Sequence, residues 1–213
     1  MSSYPVCLNI EGKECIVVGG GSVAERKVMT LIESGAEVTV ISPYLTSKLQ
    51  ELVEEKNIRH ISSIYADEFI ERPFLIIAAT DDQDTNRKVY QYAKTNNILV
   101  NVVDDPELCT FLAPAIVRRG DLTISVSTSG KSPLLSRRIK EDIESKYGPE
   151  YAELVRLMGE MRSEIIVKYS SSKDRLKAFS KILDSDILDI LADGDYDKAK
   201  GKAKELANMD ADC

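Results

Sequence analysis

The chain has 213 residues, 43% of them hydrophobic and 30% charged, the balance of a folded globular protein rather than a disordered one. Its apolar runs, such as Leu75 to Ala79, are far too short to span a membrane, and Met1-Ser2-Ser3-Tyr4-Pro5 lacks the basic and apolar regions of a signal peptide, so a cytoplasmic protein is expected. Net charge is −7, which does not suit a nucleic-acid partner. Residues 114–148 nevertheless carry 7 Lys/Arg against 4 Asp/Glu, net +3, a pattern that fits either a local anionic ligand or a solvated helix face.

Cys15-Ile16-Val17-Val18 reads as a buried strand closed by three glycines. A helix follows over Val23 to Ser34, and Gly35 ends it where a left-handed residue is wanted. Glu37 to Ile41, β-branched and stopped by Pro43, predicts a second strand. Ser47 to Glu55 is a helix and Ile58 to Ile61 a short strand. Phe74 to Ala79 is apolar at every position, as a central parallel strand should be. Asp84 to Asn96 is helical, and Ile98 to Val103 is a further strand, apolar apart from Asn101. This alternation predicts an α/β fold with a Rossmann-type parallel sheet.

The pattern then changes. Phe111 to Val117 and Leu122 to Ser127 predict an antiparallel hairpin about Arg118-Arg119-Gly120-Asp121. Ser132 is a good helix N-cap and Pro133 a good first helical residue, opening a helix to about Tyr147 that Gly148-Pro149 breaks. From Glu150 onward the signals are all helical: Tyr151 to Tyr169, Lys173 to Leu183, Ile187 to Ala192 and Tyr196 to Met209. The expected organisation is therefore a dinucleotide-binding domain over 1–113, a small β-hairpin/helix region over 114–148, and an all-helical region over 149–213. Cys7, Cys15, Cys109 and Cys213 are scattered, and His60 is the single histidine, so the sequence offers no metal site.

Gly19-x-Gly21-x-x-Ala24 follows a strand and opens a helix, the context of a dinucleotide fingerprint. Gly19 permits the tight turn, Gly21 lets backbone approach a pyrophosphate, and Ala24 lets helix pack on strand. The second strand ends in Ile41-Ser42-Pro43-Tyr44, with neither an acid for a ribose 2′-OH nor an arginine for a 2′-phosphate. Ser42 could donate to the ribose, which leans to NAD without excluding NADP. Thr80 and Asp81 leave the carboxyl end of the fourth strand, where ligands of such sheets sit; the acids there could equally cap the next helix.

Ile16-Val17-Val18-Gly19-Gly20-Gly21-Ser22-Val23-Ala24-Glu25-Arg26-Lys27 resembles the opening motif of the precorrin-2 dehydrogenase family, the sirohaem synthase N-terminal module. So do Ala78-Ala79-Thr80-Asp81-Asp82, Asn101-Val102-Val103-Asp104 and Ser127-Thr128-Ser129-Gly130-Lys131-Ser132-Pro133. The resemblance is ordered and spans roughly residues 5–145. It implies NAD-dependent oxidation of precorrin-2 to sirohydrochlorin, in some members with insertion of ferrous iron. It also implies a homodimer whose interface and tetrapyrrole site involve the region after the nucleotide domain. On this resemblance Asp104 is the catalytic acid, Ser22, Val23, Pro43 and Tyr44 match NAD-contacting positions, and Thr128 stands where a related bifunctional enzyme has a serine near the active site.

Removing a hydride and a proton from a reduced tetrapyrrole needs a base within reach. Asp104 follows the fifth strand at the sheet's carboxyl edge, where partial burial would raise its pKa; Asp104-Asp105-Pro106 also has ordinary turn composition. Precorrin-2 is a polycarboxylate, which gives the basic middle a purpose: Lys131, Arg137 and Arg138 could pair with its carboxylates, with N–H donors from the Ser132 helix start, or they could face solvent or a second subunit. His60 reads as a histidine without a ligand, and the stripe Leu154, Leu157, Met158, Met161, Ile165 as packing. A non-catalytic NAD- or tetrapyrrole-binding partner of another biosynthetic enzyme is the alternative; it would be free to lose either the glycine turn or Asp104, and this chain has both.

Overall fold

The computed structural model describes residues 4–208, so Cys213 and Met209, the last residue of the final expected helix, lie outside the described residues, as do Met1 to Ser3. The chain divides into two compact units between Ala113 and Pro114.

The first unit is a five-stranded sheet in the order β3-β2-β1-β4-β5, every pairing parallel. The strands are β1 (Glu14–Val18), β2 (Glu37–Ile41), β3 (Ile58–Ile61), β4 (Leu75–Ala78) and β5 (Leu99–Val102). Helices α1 (Ser22–Glu33), α2 (Ser47–Glu54) and α3 (Gln83–Thr95) supply the crossovers. The sheet buries both faces, which is why β4 is apolar at every position and β1 at every position after Glu14. Cys15, Val17, Val38, Val40 and Leu75 point into one core with α1 and α2. Ile16, Val18, Ile76, Ala78 and Val100 point into the other, where Val89 and Ala93 of α3 cover them. Strand order reverses at β1, so the carboxyl ends of β1 and β4 diverge into a crevice.

Asn101, the one polar residue of the β5 run, is buried and satisfied: its side-chain Nδ2 donates to the Phe111 carbonyl at 3.0 Å. Thr110 N donates to Val100 O at 2.8 Å, and Val100 N to Thr110 Oγ1 at 2.8 Å. Residues 109–111 thus cover the outer edge of β5, which would otherwise be open to pairing.

The second unit opens with the hairpin β6 (Ala115–Arg119) and β7 (Leu122–Val126). It starts four residues later than the alternation of the sequence predicted, because Phe111 is held by Asn101 and Pro114 has no N–H to give. The two arginines expected in the loop belong to β6 instead, and Gly120-Asp121 alone makes the turn, with Gly120 at φ 54°. Helix α4 (Pro133–Lys146) packs on this hairpin. Then α5 (Glu150–Lys168), α6 (Ser172–Leu183), α7 (Ile187–Ala192) and α8 (Tyr196–Asn208) surround a core of Leu157, Met161, Ile165, Ile182, Ile187 and Leu191. The methionine-rich stripe of α5 is therefore core packing. Ala199, Ala203 and Ala207 of α8 let that helix approach closely. No described helix is long and apolar enough to cross a membrane.

Candidate functional site

A cleft of about 380 Å³ opens at the carboxyl ends of β1, β2, β3 and β4. Its floor is the glycine turn, and the three glycines have different reasons to be there. Gly19 has φ 123°, and a Cβ on it would run into the Ala79 carbonyl. Gly20 would drive a Cβ into the Tyr44 carbonyl and to 2.8 Å from Ser42 Oγ. The fold itself demands both. Gly21 is the N-cap of α1, with ordinary extended backbone (φ −85°, ψ −174°), and a Cβ there would meet nothing within 4 Å. Nothing among the described residues requires a glycine at 21, and the space beside it is open to a ligand's backbone approach. No side chain caps α1, so the free N–H groups and positive dipole end of its first turn are left to an anion. Ser22 and Val23 line the cleft beside them.

The loop after β2 is strapped across this turn. Thr46 N donates to Gly20 O at 3.0 Å, and Thr46 Oγ1 to Glu25 on α1 at 2.6 Å. Ser42 is buried and lines the cleft, yet its hydroxyl proton goes to the Tyr44 carbonyl at 2.7 Å. The hydroxyl proton expected to reach a ribose is thus engaged within the loop, and the Ser42 oxygen also accepts from Tyr44 N at 3.4 Å. Pro43 lines the cleft. Tyr44 does not; its ring is 85% exposed at the rim of a second hollow beside His60, whose Nε2 meets the Ser42 carbonyl at 2.9 Å. His60 has a fold role, holding the β2 loop.

Thr80 and Asp81 both line the cleft from the end of β4. The Thr80 side chain is tied to buried Asn86 on α3: its hydroxyl donates to Asn86 Oδ1 at 2.9 Å, and Asn86 Nδ2 returns a bond to Thr80 O at 2.9 Å. Capping of α3 falls to Asp82, which accepts from Asp84 N and, at 2.6 Å, from the Thr85 hydroxyl; that bond holds its carboxyl below the usual range. Asp81 is exposed and is not the cap. Among the described residues the lining contains these two acids and no lysine or arginine. Pattern reading missed Gly20 and Asn86, and it missed the loop after β3, where Ser63, Ile64 and Tyr65 form one wall. Gly20 was legible only as one letter of a glycine run, and the β3 loop carries no motif.

Asp104 lies beyond β5 in a left-handed conformation, φ 64°, which aspartate tolerates better than most residues. It does not line the cleft. The partial burial expected of it is absent, and its side chain is exposed. Its turn is held from behind. Asp105 N donates to Val102 O at 3.3 Å, and the buried Cys109 thiol accepts from Val102 N at 3.2 Å. Lys27 on α1 stands near enough to feel Asp104. Burial lowers the Lys27 pKa and neighbouring Arg26 adds to this, while the Asp104 charge opposes it.

The remaining candidates belong to the second unit. Thr128 is built into the loop before α4: Ser132 N donates to its hydroxyl at 3.1 Å, and that hydroxyl donates to Ser132 O at 3.0 Å. Ser132 caps α4 by accepting from Leu135 N at 3.3 Å. The Thr128 hydroxyl proton is therefore spent within the loop, while the Ser132 hydroxyl, the exposed Lys131 and the helix start remain able to donate to an anion. Arg137 is exposed and pairs with Glu141 at 3.0 Å; Arg138 is exposed. Arg119 is structural, its guanidinium bonding the Tyr147 and Glu144 carbonyls at the end of α4.

A parallel sheet in the order 3-2-1-4-5, with a glycine turn left open to an anion at its switch point, defines a Rossmann-type dinucleotide-binding protein. The model of a family described as NAD(P)-binding matches residues 6–115, and the chain belongs to that family. A second model, described as the sirohaem biosynthesis protein central segment, matches residues 119–146. The chain is 40% identical over 175 residues to a siroheme synthase of Methylobacillus flagellatus, covering 82% of this chain and 38% of that one. It is 34% identical over 209 residues to a siroheme synthase of Photobacterium profundum, covering 98% of this chain and 44% of that one. The chain thus spans less than half the length of these relatives. Among solved structures it is similar to "SirC, precorrin-2 dehydrogenase", with a TM-score of 0.77 and 28% identity, covering 95% of this chain and the whole of that one.

Proposed function

We propose that this chain oxidises precorrin-2 to sirohydrochlorin with NAD, on the route to sirohaem. The observation that carries the reading is the succession on one chain of an NAD(P)-binding sheet and a sirohaem-type central segment, similar throughout to a precorrin-2 dehydrogenase. The open space at Gly21 fits a pyrophosphate. Gly19, Gly21, Ser22 and Val23 hold the diphosphate at the start of α1. Ser42 and Pro43 border the adenosine ribose, with Tyr44 outside the cleft as it stands and reaching the cofactor by turning its exposed ring, and Thr80 and Asp81 close the site from β4. NAD is favoured over NADP because the cleft lining from the ends of β2 and β3, beside the adenosine ribose, offers no lysine or arginine to a 2′-phosphate among the described residues.

When bound, the nicotinamide accepts a hydride. Asp104 takes the proton that must leave the substrate with it, its exposed carboxylate being open to a bulky ligand at the sheet's edge. Thr128, Lys131, Ser132, Arg137 and Arg138 contact the substrate's carboxylates; Thr128 acts through the loop it braces, whereas the Ser132 hydroxyl accepts from Leu135 N and still has its proton to donate. The protein acts as a homodimer in the cytoplasm. Leu134, Leu135 and Ile139 lie exposed on α4, an apolar face that a second copy would cover, and the free thiols Cys7, Cys15 and Cys109 suit a reducing compartment.

The test is anaerobic incubation with precorrin-2 and NAD, following NADH and sirohydrochlorin by absorbance. Both should rise together. Tight NAD binding with no product would instead favour a non-catalytic binding partner. Asp104→Ala should leave NAD affinity unchanged and slow turnover at least about tenfold, ~1.4 kcal/mol of barrier. Full activity in that variant would remove Asp104 from the chemistry. Ferrous iron added to the product mixture reports whether the same chain also inserts metal.

A further inference from the structure

We propose that the Lys27 ammonium binds a carboxylate of the substrate at the turn after β5, beside Asp104; the proposal rests on the tetrapyrrole reading above. Lys27 does not line the dinucleotide cleft.

Its place on α1 brings it to that turn. Lys27 shares a helix face with Ala24, three residues before it, and Leu31, four after it, both buried against the sheet. Val103, the residue before Asp104, packs against the same core. From outside its own helix, the groups that act on the Lys27 amine are Asp104 and Cys109, both in the segment that follows β5. Helix α1 therefore offers free amides at its first turn and a cation one turn further on, next to Asp104.

This cation has no anion of its own. Lys27 is half-buried, and among the described residues no acid lies within ion-pair distance of it and no group accepts a hydrogen bond from it. Burial opposes its charge and Arg26 adds to this, while Asp104 attracts the amine without pairing with it. Holding an ammonium partly out of water without a partner costs stability. An aliphatic side chain would fill the same place on α1 at no such cost, so the charge is there for a ligand.

Chemistry selects the ligand. A polycarboxylate approaching Asp104 is repelled by that carboxylate, and the cleft lining adds Asp81 and Asp82 with no lysine or arginine among the described residues. Lys27 supplies the missing positive charge at the point where the proton must leave. A substrate carboxylate drawn to it would fix one edge of the ring system against Asp104.

The experiment uses the full chain and its Lys27→Met, Lys27→Gln and Lys27→Arg variants. It measures sirohydrochlorin binding by anaerobic absorbance titration, NAD binding by calorimetry, and KM and kcat with precorrin-2. Lys27→Met and Lys27→Gln should each raise the sirohydrochlorin Kd and the precorrin-2 KM about tenfold, with a much smaller change in kcat and NAD affinity within about twofold of the parent. Lys27→Arg should recover both constants to within about threefold. Melting temperatures measured alongside separate lost binding from lost folding, and the glutamine variant serves if the methionine variant melts below the parent. Unchanged sirohydrochlorin Kd and precorrin-2 KM in both uncharged variants overturn the proposal. An equal loss of NAD affinity overturns it too, since the amine would then serve the dinucleotide's phosphates. A fall in kcat with KM unchanged also overturns it, because Lys27 would then act on Asp104 and not on the substrate. A parent chain that binds NAD but neither oxidises precorrin-2 nor binds sirohydrochlorin overturns the tetrapyrrole reading itself, and the proposal with it.

Discussion

Gly21→Asp should separate folding from cofactor binding more cleanly than any other single change. Residue 21 is the N-cap of α1, its backbone is extended, and nothing lies within 4 Å of an added Cβ. Aspartate is among the best N-cap residues and α1 now has no side-chain cap, so the variant should be as stable as the parent or more stable by about a few tenths of a kcal/mol. Binding should respond in the opposite sense. The new carboxylate would occupy the N–H groups intended for the pyrophosphate and add a negative charge beside it. Two such charges about 4 Å apart at an effective dielectric of about 20 repel by ~4 kcal/mol, and solvent in an open cleft reduces this to roughly 2–3 kcal/mol. That corresponds to a roughly 100-fold weaker NAD. Thermal melting and NAD calorimetry on the same preparation give both numbers. A stable variant that still binds NAD within about threefold of the parent would refute the placement of the pyrophosphate at α1.

Gly20→Ala should do the reverse, costing about 1–3 kcal/mol in urea unfolding because its Cβ meets the Tyr44 carbonyl with no room to move; an unchanged unfolding midpoint would show that the β2 loop is not clamped as described. Cys15 is fully buried and its thiol is pushed up to about 11, chiefly by burial, while burial also raises Cys109, so with Cys7 and Cys213 replaced by serine the native chain should not react with a disulfide reagent at pH 8 and should yield two thiols on unfolding. Lys27→Met should raise the melting temperature at neutral pH. The Lys27 amine has a folded pKa below its unfolded one, so the folded state binds fewer protons between the two values, and the parent alone should gain stability as pH rises through that window. A melting temperature that falls at pH 7 would mean that the attraction of Asp104 outweighs the cost of burying the amine.

The sheet was legible because a parallel strand buried on both faces must be largely apolar, and Ile16 to Val18, Val38 to Ile41 with Thr39 its one polar residue, and Leu75 to Ala78 have few other uses. The hairpin was half legible. Its second strand shows in Leu122 to Val126, but the start of the first is fixed by Asn101 gripping the Phe111 carbonyl, a contact between residues ten apart that no local period records. The site divides along the same line. A glycine run announces a turn, whereas the separate duties of Gly19, Gly20 and Gly21 depend on what stands opposite each Cβ: the Ala79 carbonyl, the Tyr44 carbonyl and empty space. Hydroxyls mislead for a related reason. Ser42, Thr80, Thr128 and Ser132 all read as ligand contacts, yet Ser42 and Thr128 donate to carbonyls of their own loops, Thr80 donates to Asn86 on the next helix, and Ser132 accepts from the helix it caps. Short hydroxyl side chains in tight loops find backbone partners before they find ligands. Residue type and spacing therefore point to the loops at the carboxyl edge of the sheet, while which polar groups those loops leave open is decided by the fold: the amides of α1's first turn and the exposed carboxylates of Asp81 and Asp104.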